Sequence, residues 1–124
     1  MQFADIVVGA VFSFERQMTQ DLMEAFMDIT GDRNPVHVAA QPIAHGMLSA
    51  SFFSTLVGMY CPGTPCVYVS QSLQFRGPIV PGNQLLIRGT VTEKHESIRL
   101  LVLTTEIVVN EQVVITGVAK VKVL

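Results

Sequence analysis

The chain predicts an α+β domain in which an antiparallel sheet packs beside a few helices, one of them long and apolar. Three observations carry this. Apolar residues recur at helical spacing in the first half of the chain. From Val67 onward the period changes to two. Asn110-Glu111 then sits between two long alternating runs, the pattern of a tight hairpin turn joining antiparallel neighbours. With 124 residues the chain is read as one domain spanning 1–124, large enough for one core and too small for two.

Val11 to Gln17 alternates loosely and is expected to be a short strand. Thr19 is a good N-cap for the next helix, because its hydroxyl can accept from an otherwise unpaired N–H of the first turn. Leu22, Met23, Phe26 and Ile29 recur at helical spacing, and Thr30-Gly31 supplies a C-terminus. A loop is expected over Asp32-Arg33-Asn34-Pro35-Val36-His37, with Pro35 stopping any helix and pushing Asn34 toward extended geometry. A second helix is expected from about Ala44-His45-Gly46 to Met59. Its Met47, Leu48, Ala50, Phe52, Phe53, Leu56 and Val57 leave nearly every side apolar or small, so it is expected to be buried all round. Cys61-Pro62-Gly63-Thr64-Pro65 ends it.

Beyond it, Val67, Val69, Gln71, Leu73 and Phe75 are expected on one face of a strand. Gly77 to Asn83 is turn-rich. Strands are expected over 85–93, 98–109 and 113–124, with a break at 94–97. Leu100 and Val102 alternate with Leu101 and Leu103, which suggests a strand covered on both faces, by a helix below and a partner above. A long buried helix wrapped by an antiparallel sheet is the hotdog architecture.

Composition narrows the function. Hydrophobic residues make up 49% and charged residues 15%, which excludes disorder. The net charge of −2, from 8 Lys+Arg against 10 Asp+Glu, offers no basic patch for nucleic acid or an anionic membrane. No segment reads as crossing a bilayer. The first sixteen residues carry Asp5 and Glu15 and lack a basic leader, so a cytoplasmic protein is expected. Cys61 and Cys66, the two cysteines, fit no zinc spacing and no C-x-x-C pair, and are expected to be reduced. So few charges on a small domain suggest that a partner subunit covers part of the apolar surface.

The polar chemistry is densest at Asp32, Asn34 and His37. An acid and an imidazole on a loop broken by proline can point into one pocket and hold one water between them. Asn34 can donate and accept, and so fix the loop or a substrate. The same residues also suit an ordinary turn, with Asp32 capping backbone N–H groups and His37 in solvent. Gly46 stands where the long helix begins. A ligand can approach its bare backbone closely, and the helix N-terminus favours developing negative charge. His45 reads as a helix-start or packing histidine.

Together these segments resemble a known family. Asp32-Arg33-Asn34-Pro35-Val36-His37, led in by Ile29-Thr30-Gly31, is similar to the D-x-N-P-x-H core of the MaoC-like, (R)-specific enoyl-CoA hydratases (hydratase 2). Ile43-Ala44-His45-Gly46-Met47-Leu48 resembles the start of that family's central helix. Gln71 to Phe75 and the Pro78 to Gly82 loop resemble the family's next strand and turn. The resemblance implies a hotdog domain that dimerises by joining sheets. It also implies water addition to a trans-2-enoyl-CoA to give the (R)-3-hydroxyacyl-CoA, or the reverse dehydration, with no metal or redox cofactor. Asp32 and His37 would be the catalytic pair, with Asn34 supporting the loop. The Gly46 N–H would polarise the thioester carbonyl, and Ser54 would be a supporting polar residue on the helix. Coenzyme A is the carrier expected of the substrate. Its phosphates would meet one of Arg33, Arg76, Arg88, Lys94 and Arg99, with Arg76 the first choice, and its pantetheine arm would run in a channel at the subunit interface.

The chain departs from the family's pattern after His37. Only Val38 to Ile43 precede the helix start, where relatives carry a helical overhang that walls the acyl pocket. The short tether also limits where His37 can sit. Asn83 replaces an acid that the family often has. Two rival readings are an acyl-CoA thioesterase and a non-catalytic acyl-CoA-binding module. The long helix carries no Asp or Glu, which argues against the first, and the shortened tether favours the second.

Overall fold

A computed structural model describes all 124 residues. Six strands form one antiparallel sheet: β1 (Val11–Gln17), β2 (Cys66–Gln71), β3 (Gln74–Phe75), β4 (Gln84–His95), β5 (Leu100–Val109) and β6 (Gln112–Val123). Their order is β1-β4-β5-β6-β2, with β3 also paired to β6, so β2 and β3 are two halves of one edge. β5 and β6 turn at Asn110-Glu111, both at positive φ (49° and 64°), the backbone of a two-residue hairpin turn whose twist matches its strands.

Helix α1 (Gln20–Thr30) is capped as its ends foretold. Thr19 Oγ1 accepts from the Leu22 N–H at 3.1 Å, and Gly31 closes the other end at φ 77°, its N–H on the Met27 carbonyl at 2.8 Å. Its buried stripe is Met23 and Met27, with Leu22 and Phe26 partly covered, whereas Ile29 is 84% exposed and takes no part. A single helical turn, α2 (Pro35–Val38), comes next in the chain.

The central helix comes in three pieces that run on from one another. These are α3 (Gly46–Ala50), α4 (Phe52–Thr55) and a π turn (Leu56–Tyr60). Leu48, Phe52, Phe53 and Leu56 pack in a core with Leu85 and Ile87 of β4 and Ile107 of β5. Val57 joins a second core under Val91, Leu101, Leu103 and Val121. Burial all round, as expected from its composition, is not what forms. Met47, Ser51, Ser54 and Met59 face outward, Met59 at 73% exposure.

Two further expectations change. β2 does not run through to Phe75. Its register shifts between Tyr68 and Ser70, it stops at Gln71, and Val67 and Val69 lie on the exposed side. Val102, expected to need a partner above it, is already 4% exposed within the single chain. No helix is long and apolar enough to cross a membrane.

Candidate functional site

The site grows from the C-cap of α1. Thr30 Oγ1 donates to the Phe26 carbonyl at 2.8 Å and accepts from the Asp32 N–H at 3.2 Å, which turns the chain away from the helix axis. Asp32 Oδ1 then accepts from the Asn34 N–H at 3.1 Å, and Asn34 Oδ1 from the Val36 N–H at 3.1 Å. The second of these bonds is the N-cap of α2. The loop expected here is therefore half helix, because proline at the first helical position starts a helix as readily as it stops one further in. Asn34 accordingly fixes the loop.

That turn lifts His37 over the next segment. Its Nδ1 lies 2.7 Å from the Ile43 carbonyl, and the Ile43 N–H returns to the Val36 carbonyl at 3.0 Å. The short tether after His37 thus supplies the imidazole with a hydrogen-bond partner, the Ile43 carbonyl. A carbonyl oxygen can only accept, so Nδ1 carries the proton and Nε2 is left as a lone pair in the neutral ring. Nε2 faces Asp32 Oδ2 at 3.9 Å. That is too far for a direct hydrogen bond. A water about 2.8 Å from each atom would span the gap with an angle of roughly 90° at its oxygen. His37 is mostly buried and Asp32 half exposed.

Below His37 lies a cavity of about 400 Å³, within the size range of small-ligand pockets. Ile43, Met47, Phe75, Ile79 and Ile115 give it apolar walls, and His37, Gly46 and Ser49 also line it. Asp32 stands outside that lining, beyond the His37 ring. Gly46 is the first residue of α3, where N–H groups lack intrahelical partners. A Cβ there would lie 2.7 and 2.9 Å from atoms of the Phe75 ring, so the absent side chain is what lets the ring cover the helix start.

Ser54 is not brought to the pair. It opens on a separate hollow of about 410 Å³ beside β2, shared with Ser51, Tyr68 and Gln71, and only Met47 borders both spaces. The basic candidates separate clearly. Arg33 is tied to Asp28 (2.6 Å) and Glu24 (3.7 Å), and Arg88 to Glu106. Lys94 reaches the Ile6 carbonyl at 3.0 Å and Glu96 at 3.4 Å, and Arg99 the Val123 carbonyl at 3.3 Å. Arg76 is exposed, has no ion pair or side-chain hydrogen bond, and sits between two cavity-lining residues, Phe75 and Gly77. Asn83 acts locally, its Oδ1 accepting from the Val80 N–H at 3.0 Å to close the loop before β4.

Three residues enter the site without having been singled out for it. Phe75 looked like a strand residue, and Ser49 was one serine among several on an apolar helix. His45, read as a packing histidine, is 2% exposed, and its ring stacks on that of His37 with centroids 3.6 Å apart and planes 25° off parallel. Donor atoms of Asp32, His37 and His45 lie within 4.8 Å of one another. They suit a metal poorly. Imidazole lone pairs lie in the ring plane, and two rings stacked face to face cannot both aim at one ion. The cysteines are free. Burial, and then the nearby Cys66, pushes the Cys61 thiol up to about 11, and burial pushes Cys66 up as well, so neither is an activated nucleophile.

Residues 5–113 match the MaoC-like domain family. A 3-hydroxybutyryl-CoA dehydratase of Methylorubrum extorquens is 34% identical, over 99% of this chain and 84% of that protein. An (R)-specific enoyl-CoA hydratase of Rhodospirillum rubrum is 35% identical, over 98% of this chain and 90% of that protein. The solved (R)-hydratase of A. caviae involved in PHA biosynthesis superposes with a TM-score of 0.91 at 32% identity, covering 97% of this chain and 98% of the other. A helix start, a hairpin-linked sheet and a proline-anchored Asp-His turn thus converge with relatives spanning nearly the whole sequence: the chain belongs to the MaoC-like family and has its hotdog fold.

Proposed function

We propose that the chain is a hydratase/dehydratase that adds water to a trans-2-enoyl-CoA to give the (R)-3-hydroxyacyl-CoA, or runs the reaction in reverse. The observation that carries this is the 3.9 Å gap between Asp32 Oδ2 and His37 Nε2, beside an apolar cavity that contains the Gly46 backbone. The relatives named as enoyl-CoA hydratase and 3-hydroxybutyryl-CoA dehydratase support the reading.

Water held between carboxylate and imidazole would lose one proton to the pair while its oxygen bonds C3. The pair returns one proton to C2, so the elements of water are conserved and no external electron acceptor takes part. Charge that develops on the thioester oxygen would be met by the Gly46 N–H at the helix start. Asn34 holds the turn. Arg76, the basic candidate left without a partner in the chain, is assigned to a coenzyme A phosphate. Ser54 receives no part in proton transfer, because it faces the other hollow. We further assign a homodimer joined along β2, with the pantetheine arm running near the interface.

The test is turnover of crotonyl-CoA, monitored as loss of the near-ultraviolet absorbance of the conjugated thioester, with the product's configuration determined by chiral chromatography. Asp32→Asn and His37→Gln are each expected to lower turnover by about 100-fold or more, the scale of general acid–base help. Wild-type rates in both folded variants would remove the pair from the mechanism. Release of free coenzyme A would indicate a thioesterase, and tight binding without turnover a non-catalytic module.

A further inference from the structure

We infer that His45 is a positioning residue for the water-activating pair, fixing both the plane of the His37 ring and the backbone that carries the Asp32 carboxylate. The inference rests on the hydratase reading above. His45 Nε2 lies 2.9 Å from the Asp32 carbonyl oxygen. Because a carbonyl only accepts, Nε2 is the protonated nitrogen of His45 and donates there. Its other nitrogen, Nδ1, is buried with no hydrogen-bond partner. The Nε2–H bond is something an apolar side chain of similar size could not make, so the ring ties the start of α3 to the turn that carries Asp32.

The rest of the surroundings says what the ring does. His45 lies between Phe26 of α1, at 4.9 Å and tilted by 57°, and His37 of α2, stacked at 3.6 Å. Rotation of His37 about its Cβ–Cγ bond would swing Nε2 away from Asp32. The stacked His45 ring blocks that rotation, and the bond from Nδ1–H to the Ile43 carbonyl sets the angle within the plane. His45 is also the N-cap position of α3, its carbonyl accepting from the Ser49 N–H at 3.2 Å, so it immediately precedes the Gly46 N–H. One side chain and its backbone therefore link the base, the carboxylate-bearing turn and the oxyanion donor, which sit on three separate elements. Support of this kind decides whether reacting groups keep their geometry.

The experiment separates the two contacts. His45→Phe keeps a ring over His37 and loses the donor, His45→Gln keeps a donor and loses the ring, and His45→Ala loses both. Each is measured for melting temperature and for kcat and KM with crotonyl-CoA. The His37 imidazole is also observed by long-range ¹⁵N–¹H correlation. In the wild type His37 is expected as a single Nδ1–H tautomer. The Phe and Gln variants are each expected to lose about 10-fold in kcat and the Ala variant about 100-fold, the scale of an ångström's misplacement. KM should stay within about twofold, and the Ala variant should lose the single-tautomer signature. Unchanged kcat in any folded pair of these variants overturns the inference. So does a parallel loss in KM, or a wild-type His37 that is not the Nδ1–H tautomer. If His45→Ala fails to fold, the Phe and Gln variants decide. If the wild type does not hydrate crotonyl-CoA, the hydratase reading falls, while the ¹⁵N measurement still decides whether His45 orients His37.

Discussion

A methyl group on Gly46 would have to displace a phenyl ring, and this contact makes the residue's role measurable. The added Cβ would meet Phe75 at 2.7 and 2.9 Å. Phe75 is half exposed and sits on a two-residue strand, so its ring can move aside. Alanine's helix propensity exceeds glycine's by about 1 kcal/mol in a helix interior and counts for less at this first position. Gly46→Ala is therefore expected to leave the melting temperature nearly unchanged while lowering kcat/KM by roughly 10- to 100-fold, because the displaced ring and the new methyl crowd the stretch of cavity wall that the Gly46 backbone forms. Replacing Phe75 by Leu in the same chain should recover part of the loss. A Gly46→Ala variant with wild-type kcat/KM would leave Gly46 with a packing role alone. The residue's place at the helix start was legible in the sequence, whereas the choice between close packing and a ligand's approach was not. Nor was its partner, because nothing in Gln74-Phe75 says that the ring turns back over the helix 29 positions earlier in the chain.

At the scale of elements, the four-residue helix α2 does more than its length suggests. It exists because Asn34 caps it and Pro35 is pre-set for its first position, and its product is the placement of His37. Asn34→Ala is expected to cost about 1 kcal/mol of stability, read as a lower urea midpoint, and to lower kcat about 10-fold by loosening the turn. Asn34→Ser, which keeps a capping oxygen, should restore both. Equal kcat in the Ala and Ser variants would separate the cap from the chemistry. The longer elements were legible because their signals are local. Thr19, Gly31 and Asn110-Glu111 act within a turn of themselves, and β4 to β6 declare their period over ten or more residues. The misread elements are those settled by distant partners. Proline ends or begins a helix according to what precedes it. The apolar run 67–75 breaks into β2 and β3 only because of how it lies against β6, with Tyr68 turned in to donate to the Phe53 carbonyl at 3.2 Å and Val67 and Val69 left outside.

For the whole molecule, the decisive feature is where charge is missing. Between Arg33 and Arg76 there is no Asp, Glu, Lys or Arg. That span contains α2, the central helix, β2 and β3, and with them Met47, Met59, Val67, Val69 and Phe75, all well exposed. The central helix looked fit for burial on every side because its open face is apolar too, and one chain does not cover it. The two sheet edges are unlike. β1 carries Glu15 and Arg16, charges of the kind that discourage edge-to-edge pairing, whereas β2 reads Cys-Val-Tyr-Val-Ser-Gln and has none. An uncharged edge beside an uncovered helix face is what the proposed homodimer would use: a two-fold axis perpendicular to β2 pairs that edge antiparallel with its copy and extends the sheet. Val69→Lys places a charge in the middle of that edge, 58% exposed in the single chain, so folding should tolerate it while pairing should not. Sedimentation velocity at micromolar concentration is expected to show a dimer for the wild type and a monomer for Val69→Lys. Val11→Lys on β1, equally exposed at 57%, should remain dimeric. A Val69→Lys chain that still sediments as a dimer would move the interface off β2, and loss of crotonyl-CoA turnover together with the dimer would show that the substrate channel needs both subunits.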